Sequence, residues 1–117
     1  MNALKLHEID NYQEAIVSLE QYLITYGPDP IATYYLGDAY MNLSNYGKAV
    51  ELLSPLIKLT DFKLLDWSKY SLALSYSMLG TTEGNLNAIT LMKQLTSSVN
   101  KEIVQLASGW LAFSESD

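Results

Sequence analysis

The chain has 117 residues, of which 49% are hydrophobic, and it contains no cysteine. This composition suits one compact domain and excludes disulfides and thiolate metal sites. The seven basic residues are all lysine, and the net charge of −6 disfavours nucleic acid as a partner. No apolar run approaches the roughly 18 residues of a membrane span, and the first residues lack the layout of a secretion signal. The default expectation is therefore a cytoplasmic protein.

The first two predicted helices occupy residues 2–9 and 11–23. In the second of them, apolar residues recur at steps of three and four, the spacing that gives a helix one apolar side. Asn11 and Glu14 predict a capping box at its start. The Gly-Pro pair at 27–28 then interrupts the helical pattern.

Residues 30–63 predict a second pair of helices. Asp29 followed by Pro30 is typical of an N-cap with proline in the first turn, and Asn45 predicts the N-cap of the partner helix. The apolar stripe of that partner helix consists of Ala49, Val50, Leu53, Leu56 and Ile57.

A third pair is predicted over residues 64–98, with a turn at GTTEG (80–84) between its helices. The last segment has apolar residues along one side and polar residues along most of the other, which predicts a terminal helix at about 100–114. The count is about seven helices with short connections, an all-α chain of antiparallel hairpins.

The helices repeat. NYQEAIVSLEQYL (11–23) recurs 34 residues later as NYGKAVELLSPLI (45–57), and GNLNAITLMKQLT (84–96) is a third copy. Small residues recur at matching places: Ala15, Ala49 and Ala88 in the later helix of each pair, and Gly37 and Ala73 in the earlier one. Small side chains there allow paired helices to approach to about 8 Å between their axes.

The second repeat, with YLGDAY (35–40) and NYGKAV (45–50), resembles the tetratricopeptide repeat family. The resemblance implies an all-α fold, an α-solenoid in the form of a right-handed superhelix with about three hairpins and a C-terminal capping helix. The implied single domain spans residues 1–117, with repeats at about 1–29, 30–63 and 64–98 and a capping helix at about 100–114.

The resemblance also implies a concave groove, lined by the first helix of each repeat, that binds a protein or peptide. The candidate groove residues are His7, Glu8, Tyr34, Asp38, Met41, Asn42, Trp67, Tyr70, Leu74 and Met78. Aromatic, methionine and carboxylate side chains together favour a peptide with apolar anchors and one or two basic residues. The alternative is that several of them, Trp67 and Leu74 above all, only pack between neighbouring helices.

The sequence offers little for catalysis. His7 is the only histidine, so one chain cannot supply a histidine pair or a zinc site of the HExxH type. The GTTEG segment lacks the lysine and the preceding strand of a phosphate-binding loop. We therefore expect an interaction protein that is not an enzyme and that uses no metal or cofactor.

A second hypothesis is a structural element that assembles with itself. Leu106, Ala112 and Phe113 widen the apolar sector of the terminal helix. A homodimer contact through Trp110, Leu111 and Phe113 is therefore the alternative to a helix that only caps the repeats.

Overall fold

The part of the chain that the structure describes is helical and contains no strand. The computed structural model describes the backbone of residues 3–115 and the side chains of residues 11–114. A short 3-10 helix, Ser54–Lys58, follows the third α-helix. The α-helices are α1 (Ala3–Tyr26), α2 (Pro30–Asn42), α3 (Tyr46–Leu53), α4 (Leu65–Met78), α5 (Thr82–Leu95) and α6 (Lys101–Glu115). The all-α prediction is confirmed, and none of these helices combines the length and hydropathy of a membrane span.

Side chains cap the helices where the sequence indicated. The Asp29 carboxylate accepts hydrogen bonds from the backbone N–H groups of Ile31 and Ala32, at 3.0 and 3.3 Å, and Pro30 occupies the first turn of α2. Asn45 Oδ1 accepts from the N–H of Lys48 at 3.3 Å and caps α3. The predicted N-caps at Asp29 and Asn45 are confirmed, because this signal lies within a few residues of the helix start.

The predicted break near Asn11 is wrong. Helix α1 continues from Ala3 to Tyr26, so Asn11 lies inside a helix and caps nothing. No glycine or proline occurs between residues 2 and 26, and asparagine costs well under about 1 kcal/mol in a helix interior. The first predicted hairpin is therefore one long helix, and residues 3–115 contain six α-helices instead of seven.

The GTTEG segment is only partly a turn. Gly80 has a positive φ of 75° and follows the end of α4. Helix α5 already begins at Thr82, so the turn is shorter than predicted. Gly84 lies in the first turn of α5, where a Cβ would be 2.6 Å from the backbone carbonyl oxygen of Tyr76. This glycine therefore allows the start of α5 to pack against the end of α4.

Each helix contacts the next one along the chain. In addition, α2 contacts α4, α4 contacts α6, and α3 with its 3-10 extension contacts α4. These contacts join elements that are close to one another in the chain. Helices α2, α4 and α6 consequently form one contiguous layer.

The main hydrophobic core lies between α3, α4, α5 and α6. Its largest fully buried apolar side chains are Leu53, Leu72, Met92, Leu95 and Ile103. Burial of such a side chain contributes about 1.5–3 kcal/mol. A smaller cluster around Ile16, Leu36 and Ala39 joins α1 to α2.

Helix α6 covers one side of the main core, as the sequence predicted for residues 100–114. Ile103 and Ala107 are fully buried, and Trp110 and Leu111 pack half-buried against the same cluster. Two residues of the predicted homodimer contact thus serve the core, while Phe113 is 82% exposed.

Four of the five recurring small residues are buried between helices, whereas Ala15 is only half-buried. Ala49, Ala73 and Ala88 have no exposed surface. At Gly37, a Cβ would lie 2.8 Å from both Cγ and Cδ2 of Leu53, a distance that real Cβ atoms do not adopt. The repeated small positions therefore set the spacing between helices, as predicted.

Replacement of Gly37 by alanine should destabilise the protein by about 1–3 kcal/mol, because the added methyl group would force α2 away from Leu53. Gly109 provides the control, since a Cβ there meets nothing within 4 Å. Gly109→Ala should instead stabilise α6 by about 0.5–1 kcal/mol. Urea unfolding followed by circular dichroism measures both changes, and equal effects would show that the α2–α3 contact is not tight.

Candidate functional site

The structure brings eight of the predicted groove residues together on two adjacent helices. Because α2 contacts α4, these residues lie in one region along the two helices, which we call the α2–α4 surface. It carries Tyr34, Asp38, Met41 and Asn42 from α2, and Trp67, Tyr70, Leu74 and Met78 from α4. The other two predicted residues, His7 and Glu8, have side chains outside the described residues.

A hydrogen-bond network crosses from one helix to the other at Asp38. Ser71 Oγ on α4 donates to Asp38 Oδ1 at 3.2 Å. Asn42 Nδ2 on α2 donates to Asp38 Oδ2 at 3.2 Å and to the backbone carbonyl of Asp38 at 2.8 Å. The carboxylate is therefore held on both oxygens and fixed in orientation.

Sequence reasoning missed Ser71, although a signal for it existed. Ser71 lies four residues after Trp67 and one after Tyr70, so helical spacing places it on the same side of α4. A serine carries little information by itself. Its role depends on Asp38, which lies 33 residues earlier in the chain.

Burial sets the electrostatics of this network. It raises the pKa of Asp38 above its ordinary value, although hydrogen bonds from Ser71 and Asn42 act in the opposite direction. Burial also raises the pKa of Tyr34 to about 12, and the charge of Asp38 adds to that shift. No cation among the described side chains lies within ion-pair distance of Asp38. The surface thus presents a partly buried carboxylate without a counter-charge from residues 11–114.

Two aromatic pairs flank the network. The rings of Tyr34 and Tyr35 lie 5.1 Å apart and nearly perpendicular, and those of Trp67 and Tyr70 lie 6.2 Å apart with the same edge-on geometry. Tyr34 is only 8% exposed and belongs to the core, whereas Tyr35 is 52% exposed. The accessible aromatic residue of α2 is therefore Tyr35, which the sequence analysis did not select.

The remaining candidates divide between packing and exposure. Four candidates are half-buried and pack against the main core: Met41, Trp67, Tyr70 and Leu74. Part of each of these side chains therefore packs between helices, which is the alternative considered from the sequence. Asn42 and Met78 are exposed. A partner on this surface would contact the exposed edges of the half-buried side chains and most of Asn42 and Met78.

A cleft of about 490 Å³ lies at the edge of the surface, where α4 and α6 begin. We call it the Trp67 cleft. It is lined by Phe62, Lys63, Leu64, Leu65, Asp66, Trp67, Val99, Asn100 and Ile103. Only Trp67 was predicted, because the lining comes from two segments more than 30 residues apart in the chain.

Hydrogen bonds fix the α6 side of the cleft. Ser98 Oγ donates to Asp66 Oδ2 at 2.5 Å and ties the loop before α6 to the first turn of α4. Asn100 Oδ1 accepts from the N–H groups of Glu102 and Ile103 and caps α6. Val99, between these two anchors, is 99% exposed. An apolar side chain is therefore held at the mouth of the cleft.

In residues 11–114 no group of three or more histidine, aspartate or glutamate side chains is arranged to hold a metal ion. What the surface offers is apolar area, aromatic edges and one oriented carboxylate. These groups suit the binding of a side chain or a peptide.

Comparison of the chain with family models, curated proteins and solved structures gave no match. The resemblance to tetratricopeptide repeats accordingly stays a prediction from the repeat pattern.

Asp38→Asn should make the stability of the protein less dependent on pH. The folded pKa of Asp38 is raised above 3.8, so the folded state binds this proton more tightly than the unfolded state. The contribution of Asp38 to stability therefore falls as the pH rises from below 3.8 through the folded pKa, and is constant above it. The asparagine variant loses this dependence.

Urea unfolding of both proteins between about pH 3 and pH 7 measures this effect. The stability difference should move in favour of the variant as the pH rises through that window. A difference that moves the other way would show that hydrogen bonding, and not burial, dominates at Asp38.

Proposed function

We propose that this chain is a short α-solenoid that binds a peptide segment of a partner protein on the α2–α4 surface, without catalysing a reaction. The pattern of helix contacts supports the solenoid, because each helix contacts the next one and α4 contacts both α2 and α6. The recurrence of small residues at intervals of 34 and 39 supports a repeat origin.

The observation that carries the binding proposal is the continuity between the Trp67 cleft and the network at Asp38. Trp67 lines the cleft, its ring meets Tyr70, and the next residue, Ser71, bonds to Asp38. An apolar depression thus leads directly to an oriented polar group. Peptide-binding surfaces combine such features, because apolar pockets supply affinity and a few polar groups fix register.

Selection of peptides from a displayed library on the immobilised chain tests this proposal. Selected peptides should lose at least about tenfold in affinity with Tyr35→Ala, because Tyr35 is an accessible aromatic residue beside Asp38 on α2 and aromatic residues are typical hot spots. Leu86→Ala on α5 is the control, since Leu86 is 61% exposed and lies outside the surface. Its affinity should change less than about twofold.

Fluorescence anisotropy gives the affinities, and circular dichroism checks that both variants fold. If selected peptides bind Tyr35→Ala and the wild-type chain equally, the α2–α4 surface is not the binding site. Failure to select any peptide would contradict the proposal as a whole.

A second candidate function is self-association through α6. Leu106 and Phe113 are 38% and 82% exposed and lie seven residues apart along that helix. Gly109 lies between them and leaves open space where a Cβ would be, so a second helix can approach closely.

Sedimentation velocity should then show a dimer that Leu106→Ser dissociates, whereas a monomer at every concentration excludes this function.

A further inference from the structure

We infer that the α2–α4 surface recognises an arginine side chain at Asp38, together with a bulky apolar side chain of the same segment in the Trp67 cleft. The two side chains are two or four residues apart in the bound segment. This inference rests on the proposed peptide-binding function and adds the chemical class of the ligand.

The geometry of Asp38 leaves room for a cation. A carboxylate has about four lone-pair sites, and Ser71 and Asn42 occupy one on each oxygen. One site on each oxygen is therefore not used by these two hydrogen bonds, and Asp38 is only partly buried. The two hydrogen bonds also fix the plane of the carboxylate before a ligand arrives, so little ordering is needed on binding.

The arrangement favours arginine over lysine. A guanidinium group donates two parallel hydrogen bonds to the two oxygens of a carboxylate, which a lysine ammonium cannot do. Tyr35 lies three residues before Asp38 on α2, so the two side chains are neighbours on the helix surface, and its ring is 52% exposed. A guanidinium group at Asp38 could stack on that ring.

The Trp67 cleft suits an apolar side chain. Phe62, Trp67 and Ile103 supply apolar walls, and Val99 extends them outward. Lys63 and Asp66 also line the cleft and contribute one charge of each sign. With a volume of about 490 Å³, the cleft can hold a leucine, methionine or phenylalanine side chain.

The helix geometry fixes the spacing of the two anchors. Trp67 and Ser71 lie one turn apart on α4, about 6 Å along its axis, and Ser71 contacts Asp38 directly. In an extended segment, side chains on one face recur every two residues, or about 6.6–6.8 Å. A spacing of two residues matches this distance, and a spacing of four, about 13 Å, allows for a side chain that enters the cleft beyond Trp67.

Peptide selection on the full 117-residue chain tests the inference. Enriched peptides should contain arginine with a leucine, methionine or aromatic residue two or four positions away. The net charge of −6 attracts basic peptides in general. Lysine and arginine spread evenly over the peptide positions would reflect that attraction alone and would overturn the inference.

A thermodynamic cycle then locates the arginine. Replacement of the peptide arginine by citrulline, which keeps its shape but removes its charge, should weaken binding to the wild-type chain by about tenfold or more. With Asp38→Asn the same replacement should change affinity less than about twofold, because the two changes remove one interaction. Glu83→Gln on α5 alters the net charge equally and should leave the tenfold effect intact.

The outcomes separate the two proposals. Loss of the citrulline effect with Asp66→Asn, and not with Asp38→Asn, would place the cation at the cleft and overturn the inference. Selected peptides that depend on Tyr35 but show no arginine preference would overturn the inference and leave the proposed function standing. Absence of any selected peptide would overturn both.

Discussion

The close contact of Gly37 with Leu53 sets how closely α2 packs against α3. Helix α3 reaches α2 through this contact, and Leu53 is fully buried in the main core that α3 shares with α4. Both α2 and α4 therefore rest on α3, which brings them against each other. The bond from Ser71 to Asp38, at 3.2 Å, depends on this arrangement. A wider separation of α2 and α3 would therefore also disturb the polar network at Asp38, the residue that follows Gly37 in the chain.

The main core and the proposed binding surface share helices α2 and α4. The inner faces of α2 and α4 carry the buried residues Leu36, Ala39, Leu72 and Ala73, which hold the fold together. The outward faces carry a carboxylate whose burial works against its ionised form. Contacts on the inner faces stabilise the fold, so it can tolerate a partly buried carboxylate at position 38. The fold itself does not require a carboxylate there.

The sequence predicted what depends on local signals or on the repeat. The caps at Asp29 and Asn45, the terminal helix and the small residues all follow from spacing within one or two helices. The break at Asn11 was wrong because a favourable cap sequence does not end a helix that nothing else interrupts. The repeat pattern selected residues of α2 and α4 that lie near one another, but it could not supply Ser71 as the partner of Asp38 or the lining of the Trp67 cleft. Those features depend on the axial offset between neighbouring helices, which is set by side-chain packing.

The bond between Ser98 and Asp66 has a consequence for the dynamics of the C-terminal part. It joins the loop before α6 to α4 at the Trp67 cleft, so the cleft keeps its shape only while α6 stays docked. A guest in the cleft would contact both segments and oppose the detachment of α6. Ligand binding in the cleft and local unfolding of α6 would therefore be coupled equilibria. Amide hydrogen exchange along the whole of α6, as far as Phe113, would report on a ligand bound at the start of that helix.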